Sequence, residues 1–112
     1  MSKELDFTKA KKKFLTITFI DGNKILLRTP TKKIMDRMVN LGKEFEVVEG
    51  EDPDNSDAIN EIYSACADIM SNNLAQKKIE VDYLSEVIDL EDLTLFFEAY
   101  TEFVNELNAV KN

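Results

Sequence analysis

The residues with chemistry to offer in this chain are carboxylates, one thiol and a band of aromatics; histidine is missing altogether. The commonest general base and metal ligand is therefore unavailable. Ser-His-Asp and Cys-His triads, His-containing zinc sites and Glu-x-x-His di-iron sites cannot be built within the chain. Cys66 stands between Ala65 and Ala67 in a helical pattern, which predicts a buried core cysteine rather than a reactive thiol. A lone cysteine also forms neither an internal disulfide nor a Cys-x-x-Cys redox pair. Glu98, Glu102 and Glu106 recur every fourth residue, so a helix sets them side by side on one face. Without complementary ligands they read as a solvated row, and their mutual repulsion is one that a basic partner would relieve. Asp52, Asp54 and Ser56 imitate the start of a calcium loop. The register then meets Asp57 where the loop needs glycine and Tyr63 where it needs glutamate. Gly22, Gly42 and Gly50 form no phosphate-cradling loop. Carboxylates alone can catalyse, but nothing in the pattern marks a substrate cleft. The expectation is a non-enzyme with no catalytic residue, metal or cofactor.

That leaves binding, and the charge distribution bears on it. The chain has 112 residues, 44% apolar and 32% charged, which fits one folded domain with a core. The net charge of −8 is unevenly spread. Residues 1–33 carry nine Lys/Arg against three Asp/Glu; residues 34–112 carry five against nineteen. A basic head thus sits on an acidic body, and the body would repel phosphates, so nucleic acid is not the expected partner. No stretch approaches the roughly 20 apolar residues of a membrane span, and the start lacks an apolar signal core. A cytosolic protein is expected.

The elements that must position these residues follow from periodicity. Residues 1–13 read as a polar basic arm containing Lys9, Lys11, Lys12 and Lys13, and residues 14–112 as a single domain. In Phe14 to Ile20, Leu15, Ile17 and Phe19 alternate with Thr16 and Thr18, the pattern of a strand. Asp21-Gly22-Asn23 is a turn, and Lys24 to Arg28 a returning strand, giving a hairpin over 14–29. A three-residue loop pairing Phe19 with Ile25 and Ile17 with Leu27 keeps all four on one apolar face, with Gly22 or Asn23 at positive φ. A lone hairpin is marginal, so helices must cover its face or a strand must pair with its edge.

Helices are predicted over about 31–46, 57–75, 82–88 and 90–110. The first carries Ile34, Met38, Leu41 and Phe45, widened by Met35 and Val39, with Gly42 as a point of fraying. The acidic stretch Glu49 to Asp57 is a connector. Ile59, Ile62, Tyr63, Cys66, Ile69, Met70 and Leu74 stripe the second helix. Asp82 caps the third and Asp89 the last. In the last, Leu93, Phe96, Tyr100, Phe103, Leu107 and Val110 step by three and four, with Phe97 and Val104 alongside. The fold class is α+β, mostly α: an N-terminal hairpin followed by about four helices, the last longest and amphipathic.

Two candidate interaction features result. Phe96, Phe97, Tyr100 and Phe103 concentrate aromatic surface; so regular a seam reads first as core, and as a protein contact second. Tyr100 is the member best suited to an interface, because its hydroxyl tolerates a partly wet setting. Lys11, Lys12 and Lys13 of one copy facing Glu98, Glu102 and Glu106 of another would give head-to-tail self-association.

The order of parts resembles a known family. A hairpin "FLTITFIDGNKILLRTPT" leads into "KKIMDRMVNL", then "AINEIYSACADIMSNN", then "IEVDYLSEVIDLEDLTLFFEAYTEFVNEL". This is similar to the tail assembly chaperones of long-tailed phages and prophages of Gram-positive bacteria, over residues 14–108. The most specific part runs from Val81-Asp82-Tyr83-Leu84 through Phe96-Phe97-Glu98-Ala99-Tyr100 to Phe103. The resemblance implies a small helical protein of the host cytoplasm that binds the tape measure protein, self-associates, and is absent from the finished virion. It also implies that a longer, frameshifted form can exist. It transfers no partner-binding residue. A competing reading from another class takes the acidic body as a nucleic-acid mimic that inhibits a host DNA-binding protein.

Overall fold

The computed structural model describes residues 13–48 and 56–109, with the side chains of the last two left aside. Lys9, Lys11 and Lys12 of the basic arm, the acidic loop at 49–55 and Val110 lie outside the described residues. Two antiparallel strands, β1 (Leu15–Thr18) and β2 (Lys24–Leu27), are followed by four helices: α1 (Lys32–Glu46), α2 (Ser56–Ser71), α3 (Val81–Val87) and α4 (Leu90–Ala109). The hairpin-plus-four-helix architecture matches the expected fold class, and α4 is the longest helix.

The hairpin differs from expectation in register. Ile17 faces Ile25 and Leu15 faces Leu27, two residues away from the pairing that the sequence predicts. Phe19 N–H donates to the Asn23 carbonyl at 2.8 Å and Gly22 N–H to the Phe19 carbonyl at 2.9 Å, so the three loop residues are Ile20, Asp21 and Gly22. Gly22 takes φ +92°, the left-handed position that closes such a loop. Asp21 tightens it by accepting from the Asn23 backbone at 3.1 Å and its side-chain amide at 3.0 Å. A shift of two leaves every apolar side chain on its face, so hydrophobic pattern alone could not separate the two registers.

α2 is the central element, packed against α1, α3, α4 and β2. Ile62, Ala65, Cys66, Ile69 and Met70 are buried along it. Arg37 of α1 ties the pair at its rim, meeting Glu61 at 3.0 Å and Asp68 at 2.9 Å and donating to Ser64 at 3.2 Å. Thr31 caps α1, its hydroxyl accepting from Ile34 N–H at 3.3 Å. α1 runs through Gly42 without fraying, because the Phe97 ring rests on that glycine; a Cβ there would lie 3.4 Å from its Cζ.

α2 ends at Ser71, four residues short of the prediction. Asn72 to Leu74 leave the helix to pair with β2: Arg28 N–H donates to the Asn72 carbonyl at 3.0 Å and Leu74 N–H to the Leu26 carbonyl at 2.9 Å. Asn73 makes the exit possible. Its buried side chain donates to the Met70 and Lys77 carbonyls at 2.9 and 2.7 Å and accepts from Lys77 N–H at 2.9 Å. Leu74, expected in the stripe, is consequently exposed. Glu80 is the N-cap of α3 and makes no side-chain cap bond, so Asp82 lies in the first turn rather than capping it. Asp89 does cap α4: it accepts from Asp92 N–H at 2.8 Å while Asp92 accepts from Asp89 N–H at 3.3 Å.

Candidate interaction surfaces

α4 sends its aromatics to two places. Leu93, Phe96, Tyr100 and Phe103 turn inward and are buried. Phe96 and Tyr100 stack with centroids 5.8 Å apart, and Phe103 leans on Tyr100 at 6.1 Å. Tyr100, the member of the seam best suited to an interface, is fully buried within the chain. Among the described residues its hydroxyl has no hydrogen-bond partner, and burial pushes its pKa up to about 12. Apolar burial of the ring outweighs that orphaned hydroxyl, since a fully buried aromatic gains more than one lost hydrogen bond costs.

Phe97 instead leans toward α1. It packs at 5.3 Å from Phe45 and is only half-buried. With Val39, Gly42 and Phe45 it floors a groove of about 500 Å³ between α1 and α4, rimmed by Lys43, Glu46, Thr94 and Glu98. Val39, expected to widen the buried stripe, is 53% exposed at this groove. An apolar floor between two helices with charges of both signs on its rim suits an amphipathic helix.

A second groove of about 430 Å³ lies beneath β1, walled by Ile17, Phe19, Met70, Val87, Ile88 and Phe96, with Ile20 and Leu95 at its mouth. Ile20 is 87% exposed and Leu95 59%. Sequence reasoning missed both residues. Ile20 sits in a loop where polar residues are usual, and Leu95 sits off the inward stripe of α4; those were the available signals.

The remaining candidates have structural surroundings. Cys66 is buried, and burial pushes its thiol to about 12 against the weaker opposing pull of Arg37, so it is no nucleophile at neutral pH. Ser71 spends its hydroxyl on the Ala67 carbonyl at 2.7 Å and accepts from Ile79 N–H at 2.9 Å. Glu98, Glu102 and Glu106 are exposed along α4, and Lys13 is exposed ahead of β1; Lys11 and Lys12 lie outside the described residues. Among the described residues no group of three or more acidic, Cys or His side chains is placed to hold a metal ion. Nor is any described helix long and apolar enough to cross a membrane. No family model, curated protein or solved structure matches the chain.

Proposed function

We propose that the protein is a tail assembly chaperone of a long-tailed phage or prophage, binding the tape measure protein and keeping it soluble in the host cytoplasm until the tail tube encloses it. It does no chemistry and needs no cofactor; it is absent from the finished virion. The observation that carries this reading is the groove between α1 and α4, where Val39 and Phe97 leave an apolar floor open beside Lys43, Glu46 and Glu98. A long helical client with exposed apolar stripes fits such a seat. The resemblance in the block from Val81 to Phe103 supports the same reading.

The test is affinity capture of the tagged protein from phage-producing cells, read by mass spectrometry, beside Val39→Glu. Val39 is half-exposed, so the substitution leaves the fold intact while placing a charge on the groove floor. Recovery of a very long helical tail protein, lost with Val39→Glu, is expected. Recovery of a host DNA-binding protein or nuclease instead would sink the proposal and favour nucleic-acid mimicry.

A further inference from the structure

The two edges of the hairpin are unequally served. The outer edge of β2 is closed by Asn72 to Leu74. Register parity shows what the outer edge of β1 presents. Phe19 and Asn23 form a hydrogen-bonded pair, so Ile17 with Ile25 and Leu15 with Leu27 do too, and the N–H and C=O groups of Thr16 and Thr18 point away from β2. Among the described residues no strand pairs with that edge. The inward face of β1 is also incompletely covered. Ile25 and Leu27 are buried, but Ile17 and Leu15 directly opposite them are only half-buried, above the groove that opens at Leu95.

We propose that a second copy of this chain occupies this edge, β1 pairing antiparallel with β1 about a twofold axis at Ile17. A twofold contact must be self-complementary, and this register is. Thr16 faces the partner's Thr18 as a hydrogen-bonded pair, so all four outward backbone donors and acceptors are satisfied. Phe14, just ahead of β1, then meets the partner's turn at Ile20, bringing together two exposed apolar side chains, 38% and 87% accessible. Lys13 lies toward the same turn, where the Asp21 carboxylate is exposed, and both contacts occur twice. The partner's Ile17 and Leu15 follow over the groove mouth beside Leu95. Shifting the register by two in either direction sets Phe14 or Ile20 against threonine and separates Lys13 from Asp21. The inference is independent of the client: it concerns the free protein.

Sedimentation equilibrium of the full chain tests it, without any client. The expected species is a dimer, twice the 12.8 kDa of one chain, whose dissociation constant changes less than about tenfold between low and high salt, because exposed ion pairs contribute little. Ile20→Lys and Thr18→Pro should each weaken it at least about tenfold, with unchanged circular dichroism. Ile20 is open to solvent, and the Thr18 N–H faces outward, where an edge strand tolerates proline. Thr16→Cys and Thr18→Cys, mixed under oxidant, should cross-link to each other, since a hydrogen-bonded antiparallel pair spaces Cα atoms about 5.5 Å apart, within disulfide range. Cys66 is buried and will not compete. A chain that stays monomeric at about 100 μM overturns the proposal. So does a dimer indifferent to both Ile20→Lys and Thr18→Pro, or cross-linking within a single cysteine variant. A larger assembly that shrinks with salt overturns it in favour of head-to-tail contact through Lys11 to Lys13.

Discussion

The edges of β1 and β2 share one turn and one twist, yet one is sealed within the chain and the other is open. At β2, the chain leaving α2 supplies a third short run of backbone: Asn72 accepts from Arg28 and Leu74 donates to Leu26. The seal is polar at its centre, because Asn73 is buried with its amide fully engaged. At β1, no strand among the described residues pairs with the outward backbone groups of Thr16 and Thr18. A two-stranded hairpin is marginal by itself, so the seal supplies what the hairpin lacks. The open edge is kept short, at four residues, and polar on its outer face, which limits indiscriminate pairing. One side of this hairpin thus serves the fold, and the other is the edge to which we assign the contact with a second copy.

The largest loss of stability should come from trimming the inward side chains of the two strands. Leu27 is fully buried between β1 and the α2 exit; Leu27→Ala should cost about 4 kcal/mol, as core leucine truncations do. Ile17→Ala, on the half-covered strand, should cost nearer about 1–2 kcal/mol, scaled by the smaller area that it buries. Urea denaturation measures both, and equal losses would mean that the two strands are equally covered. Asn73→Leu comes next, at about 3 kcal/mol, because it strands the Lys77 N–H and two carbonyls without partners. Amide exchange should quicken at Arg28 and Leu74, the donors across the seal, with much less change at Ile17 and Ile25, which bond within the hairpin.

How these features stood in the sequence is uneven, for physical reasons. Alternation from Leu15 to Phe19 and the three-and-four steps from Leu93 to Phe103 are burial signals, and burial is what they predict correctly. The register is invisible to alternation, since a slip of two preserves the face; Gly22 at positive φ and the carboxylate of Asp21 decide it. The end of α2 is invisible because Asn73 reads as a helix weakener, whereas its value lies in one bond back to the Met70 carbonyl and two that exist only once Lys77 has folded back. Gly42 reads as a flaw in α1 and is a seat for Phe97. Tyr100 and Phe97 look alike in the stripe, yet Tyr100 is fully buried while Phe97 rests half-buried on Phe45 and Gly42 of α1, a packing that periodicity along α4 does not encode. Ile20, Leu95 and Val39, the exposed apolar residues of the two grooves, stand out only against a known interior.

A smaller effect is expected at the turn that both edges share. Gly22→Ala forces a Cβ into φ +92° though no neighbour lies within 4 Å. The cost is backbone strain alone, about 1–2 kcal/mol. Because the strain sits in the loop between the strands and in neither of them, it should lower the denaturation midpoint without changing the relative exchange rates of the Thr16 and Leu26 amides. A selective change at one edge would show that the turn serves that edge alone.

The smallest expected effect concerns how the turn is held against the helices. Tyr83 of α3 packs edge-on to Phe19, centroids 5.5 Å apart, and its hydroxyl donates to the Asp21 carboxylate at 2.8 Å. That bond is the largest cause holding the Asp21 carboxyl below its usual 3.8, ahead of the Asn23 backbone N–H. A carboxyl whose pKa is lower folded than unfolded contributes stability that is present above the unfolded value and lost as pH falls through the folded one. Tyr83→Phe keeps the ring contact and removes the bond. The variant should therefore lose a little stability at neutral pH, and the gap from the parent should close as pH drops below 3.8 and through the folded value. Side-chain carboxyl shifts read by NMR should show the Asp21 midpoint rising in the variant. A midpoint that stays put would assign the low value to the Asn23 bonds, making the turn self-contained and leaving Phe19 as the tie between it and α3.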